Sequence, residues 1–259
     1  MSNNLLTIII YTYNSEKEII DCINSAKILS NEILLVDIKS QDKTIEIAKN
    51  LGVTVYNLPH TDYVEPAREF GINKASTNWV FILDADERIT PELAQEISSR
   101  FNRDEIRKFT HFKVPRKNVS AGKKWLKHGG WWPDYQIRLI NKKYFKIWPK
   151  EIHSTPQIEG HCGILKQPFL HYFHGDFESM VKKTVVFEDI ESDLLFNASK
   201  QVTTLTLFRK FFGEIYRRLI KHLGFLDGKI GIIEAIYQAS SKTITYLFLY
   251  EKKLKSRSL

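Results

Sequence analysis

Three uninterrupted apolar runs, Leu5–Tyr11 (LLTIIIY), Ile33–Val36 (ILLV) and Trp79–Leu83 (WVFIL), do most to limit what this chain can become. A strand with one wet face alternates apolar and polar residues, whereas a run without alternation has to be covered on both faces. A fourth, shorter strand is expected at Val53–Tyr56. The intervening segments read as helices. Ser15 and Glu18 have capping-box spacing ahead of a helix reaching Ile28, and Asp42 or Lys43 opens one that stops at Gly52. Pro66 suits the first turn of a helix carrying Arg68 to Ala75, and Thr90-Pro91-Glu92 starts another. Strands alternating with helices of this length form βαβ units, and right-handed crossovers place helices on both faces of a mostly parallel sheet. The expected fold class is therefore α/β.

The chain changes character twice. From about residue 105 to 175, Phe109–Val114 alternates like a half-exposed strand and Tyr135–Ile140 reads as another. Between them, aromatic and basic residues mix around Gly129-Gly130-Trp131-Trp132-Pro133. From about Asp176 the sequence is helical. There Phe211, Phe212, Ile215, Tyr216, Leu219, Ile220 and Leu223 recur at helical spacing, with Arg209, Lys210, Arg217, Arg218 and Lys221 on the other side. After the turn at Asp227-Gly228, Ile230 to Phe248 reads as a second, broadly apolar helix.

Ligands of such sheets bind beyond the carboxyl ends of the strands, and polar residues gather there. Asn14 follows the first strand, Asp37 ends the second, and Asp84 and Asp86 follow the fourth. In extended chain, Asp84 and Asp86 share a face, and paired carboxylates suit a hard divalent cation that keeps substrate phosphates in its shell. The plainer alternative is a pair of solvated strand-end acids. An acid at position 37 can accept hydrogen bonds from a ribose or a base edge, while Asp42 and Thr44 suit helix capping. Arg68 could reach a diphosphate or make a surface ion pair.

Together, IIIYTYNSE, LLVDIKSQDKT, PAREFGINKAS and WVFILDADERI resemble, in order and spacing, the family 2 glycosyltransferases of the GT-A fold. The resemblance implies a GT-A domain over residues 1–175, with a nucleotide-sugar half at about 1–104 and an acceptor half at about 105–175. A helical region follows over 176–259. It further implies inverting transfer from a nucleoside diphosphate sugar, by family habit UDP-linked, with Mg2+ or Mn2+. Asp37 then contacts the nucleotide, Asp84 and Asp86 form the D-x-D motif, and Tyr11, Asn14, Glu16 and Arg68 line the donor site. GGWWPDYQIRLI, KEIHS, PFLHYFHGDFESMVKK and GFLDGKIG are similar to a narrower bacterial branch that acts on lipopolysaccharide core or lipid-linked glycans. That branch reads His-Glu where this chain has His153-Ser154.

Inverting transfer needs a base for the acceptor hydroxyl. Asp134 lies where the family places its acceptor-side acid, and Glu151 is the reserve; Asp134 could instead be a turn residue after Pro133. Arg138 could support the diphosphate or only line a strand. Among His153, His171 and His174, the metal assignment falls on His153, with Asp86 and Asp84. Trp125, Trp131 and Trp132 could stack on a sugar or a lipid headgroup, or belong to a core.

The net charge of +8 fits a phosphorylated ligand, an anionic membrane surface or a nucleic acid. No nucleic-acid module is recognisable, and much of the positive charge sits on an amphipathic helix, so no nucleic-acid partner is expected. Two distant cysteines, Cys22 and Cys162, argue against a disulfide framework and for a reducing cytosol. Neither a signal peptide nor a membrane span is read in the sequence. Residues 205–250 are expected to dock on the inner face of the cell membrane, where a lipid-linked acceptor lies, or else to pack within the protein. Two other functions stay open: sugar transfer to polyprenyl phosphate, and a non-catalytic protein of the same fold.

Overall fold

The computed structural model describes residues 5–120, 124–173 and 177–257. The chain forms two units, Met1–Lys117 with Asp134–His171, and Asn118–Pro133 with Tyr172–Leu259.

The first unit is built on the buried runs. Strands β1 (Leu6–Thr12), β2 (Ile33–Asp37), β3 (Thr54–Asn57) and β4 (Trp79–Asp84) alternate with helices α1 (Ile19–Lys27), α2 (Thr44–Asn50) and α3 (Glu65–Lys74). Two-residue β5 (Glu87–Arg88) and α4 (Pro91–Asn102) follow, then β6 (His111–Ser120) and, after two-residue β7 (Lys124–Trp125), β8 (Tyr135–Asn141). The central order is β3-β2-β1-β4-β8-β6. The first four strands are parallel, and β8 joins β4 antiparallel, with Phe81 opposite Leu139. Short strands β9 (Phe145–Ile147) and β10 (Gln157–Ile158) pair with each other, β11 (Cys162–Ile164) lies parallel to β6, and β12 (Phe169–Phe173) sets His171 opposite Glu87 of β5.

Every residue of β1 and β2 is buried, as uninterrupted apolar runs require. One core layer gathers Ile8, Ile10, Leu35, Phe81 and Leu83 with α1 and α4. The other gathers Ile9, Val36, Val80 and Ile82 with α3. Thr90 caps α4 by accepting from the Leu93 amide, and Pro66 sits in the first turn of α3.

The capping box expected at Ser15 and Glu18 does not form, and α1 starts without a side-chain cap. The Ser15 hydroxyl donates instead to the Tyr13 carbonyl, and the amides of this loop find partners across the sheet edge. Asn14 adopts a left-handed φ of 46°; its amide donates to Ser40 Oγ, and its Oδ1 accepts from the Gln41 amide. The Ser15 amide donates to Thr44 Oγ1, the Glu16 amide to Asp42 Oδ2, and Glu16 Oε2 accepts from the Lys43 amide. The β1–α1 and β2–α2 loops are thereby laced together. Burial alone would raise the Asp42 pKa, but the Thr44 hydroxyl and the Glu16 and Thr44 amides outweigh it and lower it.

The second unit contains α5 (Phe177–Asn197), α6 (Thr204–Ile215) and α7 (Gly228–Arg257); α6 runs on into a π-helical segment, Tyr216–Lys221. Thr203 and Thr206 cap α6 reciprocally. Both α5 and α6 pack along α7. Asp227, buried in the turn before α7, accepts from the amides of Lys127 and His128 and from the His128 ring. Trp125 and Trp132 meet edge to face, and Arg218 lies over Trp131. These tryptophans are half-buried and pack on one another and on neighbouring cations. Among the described residues, no helix is long and apolar enough to cross a membrane.

Helix α3 comes close to β1 at Gly71, where a Cβ would collide with the Tyr11 hydroxyl and Ile9 Cγ2. Both are buried and cannot yield without moving β1 or α3. Gly71→Ala is expected to lower stability by about 1–3 kcal/mol, read as a fall in the urea midpoint without a change in slope.

Candidate functional site

The carboxyl ends of β1, β2 and β4 carry the candidate site. The chain leaves β4 in a turn at Ala85-Asp86 before β5, so Asp84 and Asp86 do not share a face as they would in extended chain. The turn is held by the Asp84 amide, which donates to Glu87 Oε2 at 2.9 Å, and by Arg88, which donates to the Ala85 carbonyl.

Asp84 is clamped between two guanidiniums. Arg68 of α3 approaches Asp84 Oδ1 at 2.8 Å and Oδ2 at 3.0 Å, and Arg138 of β8 donates to Oδ2 at 3.0 Å. Burial alone would raise the Asp84 pKa, but Arg68 and Arg138 outweigh burial and hold it well below the usual carboxylate range. Arg138 also donates to Glu87 Oε1 at 2.5 Å. Glu87 is fully buried, and that burial together with the nearby Asp84 charge pushes its pKa up despite Arg138. Arg116 of β6 stands 3.8 Å from the same Glu87 oxygen and donates to Asp134 Oδ2 at 2.8 Å, while Gln136 donates to Asp134 Oδ1 at 2.7 Å. Three guanidiniums and three carboxylates thus form one continuous network.

His171 Nε2 stands 3.6 Å from Asp86 Oδ2, and His171 also acts electrostatically on Glu87. The antiparallel pairing of β5 with β12 brings these groups together. His153 belongs elsewhere. It has a left-handed φ of 60°, and its amide donates to Glu65 at the head of α3. Asp84, Asp86 and His153 form no three-ligand metal cluster among the described residues; the imidazole beside Asp86 is that of His171. His174 lies outside the described residues.

Tyr11 is buried and does not offer a ligand surface. Its hydroxyl donates to the Arg68 carbonyl at 2.6 Å, and its ring lies under the Arg68 guanidinium, so it positions that arginine. Asp37 is fully buried; Oδ2 accepts from the Ser40 amide, and Oδ1 has no hydrogen-bond partner among the described residues. A buried carboxylate oxygen without a donor is costly, so this position can receive an N–H or O–H from a ligand. Asn14 and Glu16 stand on the laced rim beside it. Glu151 is exposed, and its carbonyl accepts from the Ser154 amide.

The family model for glycosyl transferase family 2 matches residues 7–170, more than half of the chain. The chain belongs to that family. An uncharacterized glycosyltransferase of Rickettsia typhi is 27% identical over 96% of this chain and 88% of its own length. A second, from Rickettsia conorii, is 24% identical over 96% and 91%. Among solved structures, residues 1–349 of S. aureus TarS in complex with UDP-GlcNAc match with a TM-score of 0.52 at 15% identity, covering 97% of this chain and 92% of that one. That likeness concerns the fold, which is GT-A.

In this family 2 glycosyltransferase, two members of the network, Glu87 and Arg116, escape sequence reading. Glu87 follows the D-x-D motif in a highly charged stretch and looks like a surface acid. Only the turn after β4 drives it inward. Arg116 sits in a strand that also carries Lys113, Lys117 and Asn118, so its charge does not stand out.

A carboxylate with a depressed folded-state pKa contributes stability above its unfolded value of about 3.9, and this contribution fades as pH falls toward the folded value. The stability gap between the wild type and Asp84→Asn is therefore expected to be widest at about pH 6 and to narrow by about pH 3. Urea unfolding at the two pH values measures it; an unchanged gap would mean that the ionised carboxylate is not what the arginines hold.

Proposed function

We propose that this enzyme moves a sugar from a nucleoside diphosphate sugar, UDP-linked, to a hydroxyl of a glycan or lipid-linked saccharide, with inversion and with help from Mg2+ or Mn2+. The observation that carries the reading is the presence of the Arg68–Asp84–Arg138 clamp and of the Asp86–His171 pair at the carboxyl edge of the sheet. TarS, which has the same fold, binds UDP and UDP-GlcNAc.

The donor set beside β12 suits a hard cation. Adjacent ligands of an octahedral ion with bonds of about 2.1 Å stand about 3 Å apart. The Asp86 and His171 atoms are 3.6 Å apart and need little movement to share one. Asp84, held by two arginines, is not needed as a ligand. When bound, the ion would neutralise charge on the departing diphosphate. Arg68 and Arg138 orient Asp84 toward the donor and add positive potential beside the phosphates. The unpartnered Asp37 oxygen accepts from the nucleotide base, with Asn14 and Glu16 on the rim around it.

Asp134 takes the acceptor proton as the hydroxyl oxygen attacks the anomeric carbon. The bond from that carbon to the diphosphate oxygen breaks, and the nucleoside diphosphate leaves with the electron pair. Arg116 and Gln136 fix the carboxylate for this work.

Two experiments test the proposal. UDP with Mn2+ should raise the thermal midpoint of the wild type, and EDTA should remove most of the gain. Asp86→Ala and His171→Ala should lose the Mn2+-dependent part while keeping the unliganded midpoint; no response of the wild type to UDP with Mn2+ would defeat the donor assignment. Asp134→Asn should lower kcat by about 10²–10⁴ with donor binding unchanged. A small loss would instead favour a polyprenyl phosphate acceptor, which needs little base catalysis.

A further inference from the structure

The segment Thr204–Lys221 presents three stripes, each stepping by four residues. Leu207, Phe211, Ile215 and Leu219 are half-buried, on the helix that packs along α7. One residue on, Phe208, Phe212, Tyr216 and Ile220 are 58%, 61%, 61% and 55% exposed. One residue further, Arg209, Arg217 and Lys221 are exposed. Successive helical residues are separated by about 100°, so the bare apolar ridge runs between the packed stripe and the basic one. Leu205 and Leu223 extend the ridge at either end and are also exposed. The sequence pattern alone merges the first two stripes into a single apolar face; packing uses only one of them.

Four large side chains in one row, left bare over about 20 Å of helix, form a continuous apolar surface of the kind that marks an interaction site. The neighbouring charge identifies the partner. Arg217 and Arg218 share Glu214 and together contribute one net positive charge, to which Arg209, Lys210 and Lys221 add. An apolar ridge bordered by cations on a single helix matches a surface with acyl chains beneath anionic headgroups.

We propose that this ridge docks on an anionic lipid bilayer, with α6 lying in the plane of the interface, Phe208, Phe212, Tyr216 and Ile220 entering the headgroup–acyl boundary, and Arg209 and Lys221 at the phosphates. Each basic residue near an anionic leaflet strengthens binding about fivefold. A few such residues with a row of aromatic and aliphatic side chains give reversible attachment without a spanning helix. The docking does not depend on the identity of donor or acceptor.

Co-sedimentation of the full chain with vesicles, without nucleotide or metal, tests it. Binding is expected with phosphatidylcholine vesicles containing about 30% phosphatidylglycerol, to be weak with phosphatidylcholine alone, and to fall with added salt. Phe208→Ser with Phe212→Ser should weaken binding by about tenfold or more, and Arg209→Gln with Lys221→Gln by about 25-fold. Circular dichroism and the thermal midpoint should match the wild type, because all four side chains are exposed. Protein that stays in the supernatant, or that binds both vesicle types equally, overturns the proposal. So does a dimer in light scattering that the Phe208→Ser, Phe212→Ser variant dissociates, since the ridge would then belong to a second copy of the chain.

Discussion

The two guanidiniums that close on Asp84 hold the first unit's ligand edge together. Arg68 comes from a helix on one side of β1 and β4, and Arg138 from the antiparallel strand on the other side of β4, so a single carboxylate ties three elements. Burial would disfavour each charge alone; paired, they are stabilised, and removing one partner would leave the others uncompensated. Tyr11 supports Arg68 from below, and Gly71 lets α3 come close enough for that contact. The core packing of α3 on β1 is thus part of the electrostatics of the edge.

Glu87 gives the network its reach. It caps the turn that ends β4, binds Arg138 and faces Arg116, whose other partner is Asp134. Asp84 and Asp134 are therefore linked through one buried acid. Asp86 stands beside the imidazole of His171, which also acts on Glu87.

The parallel half of the fold was legible because buried strands have no polar alternation to confuse the reading; β1, β2 and β4 appear within a residue or two of their apolar runs. The short strands β5 and β9 to β12 were not legible, since two to five residues carry no period. Asp37, Asp84 and Asp86 could be picked out because they end or follow buried strands, Arg138 because it interrupts an apolar stretch, and Arg68 because it sits in the helix that precedes the fourth strand. The pairing of Asp86 with His171 could not, because an antiparallel contact across 85 residues leaves no local trace. For the same reason the sequence pointed to His153, whereas the imidazole beside Asp86 is that of His171. Ser15 and Glu18 had the spacing of a cap, yet the Ser15 hydroxyl turns back to the Tyr13 carbonyl.

The lacing of the β1–α1 loop to the β2–α2 loop has a consequence for anyone who would retarget the enzyme. Five side chain-to-backbone bonds cross between the loops, so neither can adopt a new shape while the other keeps its own. A graft confined to one of them would break its neighbour's supports. The pair behaves as one exchangeable module and should be transplanted whole.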